Sequence, residues 1–122
     1  MEPFVRQFNL DNRRFVLSEV HDEQGRAQPP APLIVFSFHQ CDGVLVGSLQ
    51  GEGLVEGRLL ATLVAADRLE AVFHCLPRAM VLASGRAVGV IGGGPRSKLT
   101  LHLDWEWLSG RSGRGVARFT EI

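Results

Sequence analysis

Apolar residues recur at every second position along most of the chain, and short clusters of turn residues interrupt them. This alternation is typical of β-strands that bury one face and expose the other. No long window keeps the period of about 3.6 residues that marks an amphipathic helix. The pattern predicts about eight strands, over residues 8–19, 32–41, 44–50, 54–65, 69–77, 80–91, 98–108 and 115–122.

The turns between these strands are short, apart from an exposed loop from His21 to Pro32, so neighbouring strands are expected to pair antiparallel. Asp42-Gly43 is a strong signal for a two-residue hairpin of type I′. It predicts the pairs Cys41–Val44, His39–Val46, Phe38–Gly47 and Phe36–Leu49. Three-residue turns at 51–53 and 66–68 predict Leu49–Val55, Gly47–Gly57 and Leu45–Leu59, then Leu63–Ala71, Ala61–Phe73 and Leu59–Cys75.

These pairings sort the side chains into two faces, which supports them because a slip of one residue would scramble the sorting. The apolar face carries Ile34, Phe36, Phe38, Leu45, Leu49, Val55, Leu59, Leu63, Leu69, Phe73 and Cys75. The other face carries Ser37, His39, Ser48, Glu56, Arg58, Thr62, Glu70 and His74. Near the end of the chain, Leu101, Leu103, Trp105 and Trp107 share one face, and His102, Asp104 and Glu106 share the other.

A sheet with one apolar face and no helix to cover it must bury that face on itself. The economical solution is an up-and-down meander closed as a calycin-like barrel, which also removes exposed strand edges. A two-sheet sandwich is the alternative. The register of residues 80–91 stays open, because Met80 to Ala83 and Ala87 to Ile91 are apolar on both faces. Either a partner chain covers this strand or part of it is not a strand.

The composition indicates a single domain over residues 1–122, with 13 basic and 13 acidic residues and no net charge. Binding to nucleic acid or to an anionic membrane is therefore not expected. No signal peptide and no transmembrane segment is recognisable. Cys41 and Cys75 are expected on opposite faces, so they form no disulfide framework, and a cytoplasmic location is the simplest expectation.

Residues with catalytic potential have simpler explanations in this pattern. His39, His74 and His102 are expected on the outer side, so no metal site is assigned. Asp104 and Glu106 beside His102 form the polar side of a strand, which leaves an enzyme as a distant alternative. The glycine-rich segments 92–97 and 110–115 lack phosphate-loop spacing and are predicted to be hairpin turns. The second segment is basic enough to contact an anion. No cofactor is expected.

The leading functional hypothesis is a lipocalin-like lumen that holds a small apolar ligand. Its predicted lining residues are Phe36, Phe38, Leu59, Phe73, Trp105 and Trp107. The small residues Gly47, Gly57, Ala61 and Ala71 either leave this lumen open or relieve strain in a curved sheet. The alternative is an interaction module with a filled core. It would form a homodimer through the outer apolar residues Val46, Leu60, Val72 and Leu76.

Several motifs carry a family resemblance: Asn12-Arg13-x-Phe15, Phe36-x-Phe38-x-Gln40, Gly57, Leu101, Trp105-x-Trp107-x-Ser109-Gly110, Gly115 and Glu121. With them, the chain resembles a family of small bacterial proteins often labelled automatically as N-acetylglutamate synthase. The resemblance implies a compact β-barrel of unestablished function. Relatives often show tyrosines, which this chain lacks, and a glutamate near Asp104.

The synthase label itself conflicts with the sequence. Acetyl-CoA-dependent acetyltransferases present an Arg/Gln-x-x-Gly-x-Gly/Ala loop before a helix. The nearest match, Arg86 to Ile91, fails at its last position, and 92–95 is Gly-Gly-Gly-Pro, which cannot start a stable helix. Acetyltransferase activity is therefore not expected.

Overall fold

The computed structural model describes residues 8–27, 34–93 and 98–122. Within these ranges the chain forms eight β-strands and no helix. The strands are β1 (Arg14–Asp22), β2 (Val35–Cys41), β3 (Val44–Gln50), β4 (Leu54–Ala65), β5 (Arg68–Pro77), β6 (Ala83–Gly92), β7 (Thr100–Ser109) and β8 (Arg114–Glu121). Each strand pairs antiparallel with its neighbours, and β1 pairs with β8, which closes a barrel. The predicted all-β meander is confirmed. The sheet closes into a barrel and does not form the two-sheet sandwich that was the alternative.

The inner face of the barrel holds the hydrophobic core, as the alternation predicts. Phe15, Phe38, Leu45, Leu69 and Leu101 are almost fully buried, and the polar residues of the same strands point outward. The prediction is wrong at Val55, which is 57% exposed. Leu54 pairs with Pro77 and Glu56 pairs with Leu76, so Val55 is the extra residue of a β-bulge. Leu54 packs against the core in its place.

The hairpin at Asp42-Gly43 is confirmed in all of its predicted pairs, from Phe36–Leu49 to Cys41–Val44. Asp42 has a positive φ of 53°. Gly43 lies outside the left-handed region, so the turn departs from type I′ at its second position. The turn type therefore differs from the prediction, while the register that it produces is the predicted one.

The next two hairpins are displaced by two residues from the predicted register. Between β3 and β4 the pair nearest the turn is Leu49–Gly57, so the unpaired segment between the two strands is longer than the predicted three residues. Between β4 and β5 the turn has two residues where three were predicted, which shifts the pairing by one residue. A bulge at Val64 shifts it by one residue more. The observed pairs are Leu49–Gly57, Gly47–Leu59 and Leu45–Ala61, then Leu63–Leu69, Ala61–Ala71 and Leu59–Phe73. A shift of two residues leaves side chains on the same face, so the predicted faces survive except at the Val55 bulge.

One end of the barrel is closed by residues 8–13, which the sequence pattern placed in the first strand. Asn12 has a φ of 59°, which breaks the extended conformation before β1 begins at Arg14. Leu10 is fully buried, and its backbone N–H donates to Gln40 Oε1 at 2.8 Å. The backbone N–H of Gln40 donates in turn to Asp11 Oδ1 at 2.9 Å. These bonds hold the N-terminal segment across the barrel end.

The open question about residues 80–91 is resolved by where β6 begins. Met80 to Leu82 lie before the strand, and all three side chains are more than half exposed. From Ala83 onward the small or apolar inner residues alternate with outer ones such as Val88 and Val90. At β1 the strand continues to Asp22, so the loop predicted from His21 starts later. Residues 28–33, which cover the end of the loop predicted from His21 to Pro32 and the start of the strand predicted over 32–41, lie outside the described residues, as do residues 94–97 of the glycine-rich turn.

The carboxylate of Glu121 stabilises the junction at which β1 and β8 close the barrel. Arg13 Nη1 donates to Glu121 Oε2 at 2.7 Å, and the backbone N–H of Leu99 donates to Glu121 Oε1 at 3.0 Å. Burial alone would raise the pKa of Glu121. The Leu99 N–H, the Arg13 guanidinium and the charge of Lys98 outweigh it, so the pKa lies below its ordinary value.

Replacing Glu121 by Gln should destabilise the barrel at neutral pH by about 1–2 kcal/mol. Because the folded pKa is depressed, the carboxylate stabilises the fold above its unfolded value of about 4.3 and loses this effect as the pH falls through the folded pKa. Thermal unfolding between about pH 7 and about pH 3 should therefore show a Tm difference that shrinks with acidification. Glu19→Gln, on the exposed side of β1, is the matched control and should leave Tm unchanged. A Glu121→Gln deficit that is equal at both pH values would contradict the electrostatic explanation.

Candidate functional site

A cavity of about 440 Å³ occupies the barrel lumen at the end opposite residues 8–13. Its walls come from the inner faces of the strands, and its rim comes from the β3–β4 and β7–β8 loops. The main wall residues are Phe36, Leu59, Phe73, Cys75, Trp105 and Trp107. The lumen is therefore neither filled nor open at both ends, and it has the form of a cup.

Five of the six residues predicted from the sequence to line a lumen lie around this cavity; Phe38 does not. The Phe38 ring lies 5.7 Å from the rings of both Phe15 and Phe36, and its side chain is only 2% exposed. It belongs to the packed core at the closed end. The alternation pattern identifies inner residues, but it carries no information on which barrel end the N-terminal segment closes.

The small inner residues do not leave the space that the sequence analysis considered. A Cβ at Gly47 would lie 3.1 Å from the Phe38 ring, and one at Gly57 would lie 2.8 Å from Leu49 Cβ. These glycines admit neighbouring side chains into the core. The alanines that border the cavity are instead Ala83 and Ala87 on β6 and Ala117 on β8.

An aromatic wall forms one side of the cavity. Phe73 and Trp107 meet edge to face with centroids 5.3 Å apart, and Trp105 and Trp107 do so at 6.1 Å. A Cβ at Gly85 would collide with the Phe73 ring and lie 2.7 Å from the carbonyl oxygen of Glu106. Glycine at this position therefore lets the Phe73 ring lie directly on β6.

Two charged residues stand on the rim, Glu52 and Arg111. The Arg111 guanidinium lies 5.2 Å from the centroid of Trp107, a cation–π contact. Below the rim the lining side chains are apolar, apart from the Cys75 thiol and the indole N–H groups of Trp105 and Trp107. The basic character of segment 110–115 is visible in the sequence, but no alternation pattern links Arg111 with the lumen.

The residues with catalytic potential lie outside the cavity. His102, Asp104 and Glu106 point outward from β7, and Glu106 Oε1 is 3.6 Å from Arg86 Nη2. His39 and His74 are exposed on the same outer side. No group of three or more His, Cys, Asp or Glu residues in the described ranges is placed to hold a metal ion. Asp104 and Glu106 remain in contact with solvent, whereas acid–base chemistry would require a desolvated carboxylate.

The outer face of the barrel carries a groove of about 1030 Å³ across β4 to β8. Of the predicted outer apolar residues, Leu60 and Val72 line it, and both are about half exposed. Val46 is exposed beside them on β3, whereas Leu76 lies outside the groove. Val88 and Val116, which are not among the predicted residues, extend the apolar surface.

The two cysteines differ in environment, and neither forms a disulfide. Cys41 is exposed at the end of β2, and Cys75 is buried in the cavity wall. Burial raises the pKa of the Cys75 thiol, and the nearby positive charge of Arg111 opposes this shift only in part. The thiol is therefore protonated and weakly nucleophilic at neutral pH.

Comparison with known proteins gives one match. A family model described as "Avidin-like protein" matches residues 8–122, which include every strand of the barrel. No curated protein and no solved structure matches the chain significantly. The match supports the small-barrel part of the sequence resemblance and gives no support to the synthase label. In the described part of the chain, no helix has the length and apolarity needed to cross a lipid bilayer.

Cys75 provides a chemical probe of the cavity wall. Iodoacetamide at neutral pH should modify Cys41 first and Cys75 at least about tenfold more slowly, because the thiolate is the reactive species. Peptide mass spectrometry over time measures both rates in one sample, and Cys41→Ser and Cys75→Ser assign the signals. Equal rates would mean that Cys75 is not buried in the wall in solution.

Proposed function

Because the chain belongs to the avidin-like protein family, we propose that its barrel binds a small, mainly apolar ligand in the lumen. The family binds small ligands such as biotin. The observation that carries the proposal is the cup-shaped cavity of about 440 Å³ with its aromatic wall. Its volume falls within the usual range of ligand sites, roughly 300–1,000 Å³. A filled core would have left no such space.

The lining of the cavity favours an apolar ligand over biotin itself. A cyclic urea such as that of biotin carries hydrogen-bonding groups that lose water on entering a lumen. Below the rim, only the indole N–H groups of Trp105 and Trp107 and the Cys75 thiol could replace that water, because the lining there has no carboxylate, amide or hydroxyl side chain. Each unsatisfied polar group costs roughly 1–3 kcal/mol, whereas each buried CH₂ contributes about 0.8 kcal/mol. An alkyl or aromatic body therefore suits this site better.

The wall is also organised before any ligand arrives. The Phe73 ring is fixed between Gly85 and Trp107, and Trp105 packs against Trp107. A binding surface whose side chains are already ordered loses little conformational entropy on binding. Little of the free energy gained from apolar contact is therefore lost to ordering the side chains of the cavity.

Intrinsic fluorescence tests this proposal, because Trp105 and Trp107 are the two tryptophans of the chain and both line the cavity. Titration with decanol should change the emission in a saturable way, and biotin should not. Ala87→Leu, which adds bulk inside the cavity, should weaken decanol binding at least about tenfold, or about 1.4 kcal/mol.

Val90→Leu is the matched control, because it adds a methylene on the outer face of the same strand. It should leave decanol affinity unchanged. Absence of any saturable response, or equal affinities for Ala87→Leu and the original chain, would reject the lumen as a binding site.

A second candidate function is self-association through the outer groove. Val72 pairs with Arg86, and Glu70 pairs with Val88, in adjacent rows of β5 and β6. If two barrels pack face to face with a twofold axis along the Val72–Val88 diagonal, each Glu70 meets the partner's Arg86. Val72 and Val88 then each contact their own copy. This charge complementarity favours a homodimer over an unrelated partner.

Charge exchange tests this candidate by sedimentation velocity. Glu70→Arg and Arg86→Glu should each shift the chain from dimer to monomer, because like charges then meet across the interface. The double variant should restore the dimer, since the opposite charges are exchanged between positions. Val64→Glu, at an exposed position outside the groove, should leave the dimer intact. A monomer at every concentration of the original chain would refute the candidate.

A further inference from the structure

Arg111 is placed on the rim by a tightly constrained loop. Gly110 has a φ of 77°, and a Cβ there would lie 2.7 Å from Ala83 Cα and collide with the backbone of Leu82. The backbone N–H of Trp107 donates to the carbonyl oxygen of Gly113 at 3.0 Å. The loop is therefore pressed against the start of β6 and folds back on β7, and Arg111 reaches the cavity wall.

The guanidinium of Arg111 has no anionic partner among the described residues. The ion pairs of these residues join Arg13 with Glu121, His39 with Asp11, Arg58 with Glu56 and Arg86 with Glu106. Arg111 instead rests on the face of Trp107 and lines the cavity. Its positive charge also reaches the Cys75 thiol inside the lumen. An exposed cation with no ion-pair partner in the described residues thus stands at the mouth of an apolar cup, resting on one tryptophan ring.

From this arrangement we propose that the lumen ligand is an amphiphile with a carboxylate head, which Arg111 binds at the rim while the apolar tail enters the cup. This inference rests on the proposed lumen function and names its ligand class. A guanidinium offers paired N–H donors that match the two oxygens of a carboxylate. The tail then contacts the aromatic wall and extends toward Leu59.

The other charged rim residue, Glu52, is less suited to select the ligand. It lies on the exposed β3–β4 turn, and no hydrogen bond or ion pair with a described residue holds its carboxylate in place. Arg111 is held against the wall of the site itself. An ordered cation loses less entropy on pairing than a free side chain does, which favours an anionic head over a cationic one.

Three ligands of equal chain length separate head-group recognition from binding of the tail: decanoate, decanol and decylamine. For the original chain, tryptophan fluorescence should give decanoate an affinity about tenfold above that of decanol, the size of one charge-assisted contact. Arg111→Gln should abolish this preference, so that decanoate and decanol bind with equal affinity. Arg111→Glu should make decylamine the preferred ligand. The decanoate preference should also weaken with added salt.

Arg114→Gln is the matched control, because Arg114 begins β8 and lines the outer groove rather than the lumen. It should keep the decanoate preference intact. Equal binding of decanoate and decanol, or a preference for decylamine that Glu52→Gln removes, would overturn the carboxylate inference while leaving the lumen function standing. If none of the three ligands binds, the lumen function itself is wrong.

Discussion

The pairing of β1 with β8 is the constraint on which the rest of the structure depends. These strands are the first and last of the meander, and their ladder runs from Phe15–Glu121 to Asp22–Gly115. Without it, a sheet with one apolar face would expose that face to water and leave two unpaired edges. With it, the apolar face becomes an interior, and the contacts of Glu121 with Arg13 and Leu99 hold the junction.

Closure alone gives a tube, and the N-terminal segment turns the tube into a cup. Leu10 is fully buried in one end, where Gln40 binds its backbone. Phe38 and Phe15 complete the core there. No segment of the described residues fills the other end in this way, so a cavity of about 440 Å³ remains below a rim that carries Arg111. The same closed interior thus supplies stability at one end and a candidate binding site at the other.

Most of the candidate site could be predicted, because it follows from which side of a strand each residue faces. Trp105 and Trp107 alternate with polar neighbours, so their inward direction can be read from the sequence. Phe38 has the same signature and yet lies in the closed end. Arg111 has no alternating signature at all, because it belongs to a loop whose path depends on contacts of Gly110 with Leu82 and Ala83.

The sequence by itself determined the number of strands, their faces and the hairpin at Asp42-Gly43, because these depend on local periodicity and turn chemistry. It could not determine the register of β3 with β4 or of β4 with β5, since a shift of two residues leaves each side chain on the same face. Bulges such as that at Val55, the closed end and the position of Arg111 were decided by tertiary structure. They depend on contacts between segments far apart in the chain, and the alternation of side chains along one strand does not predict those contacts.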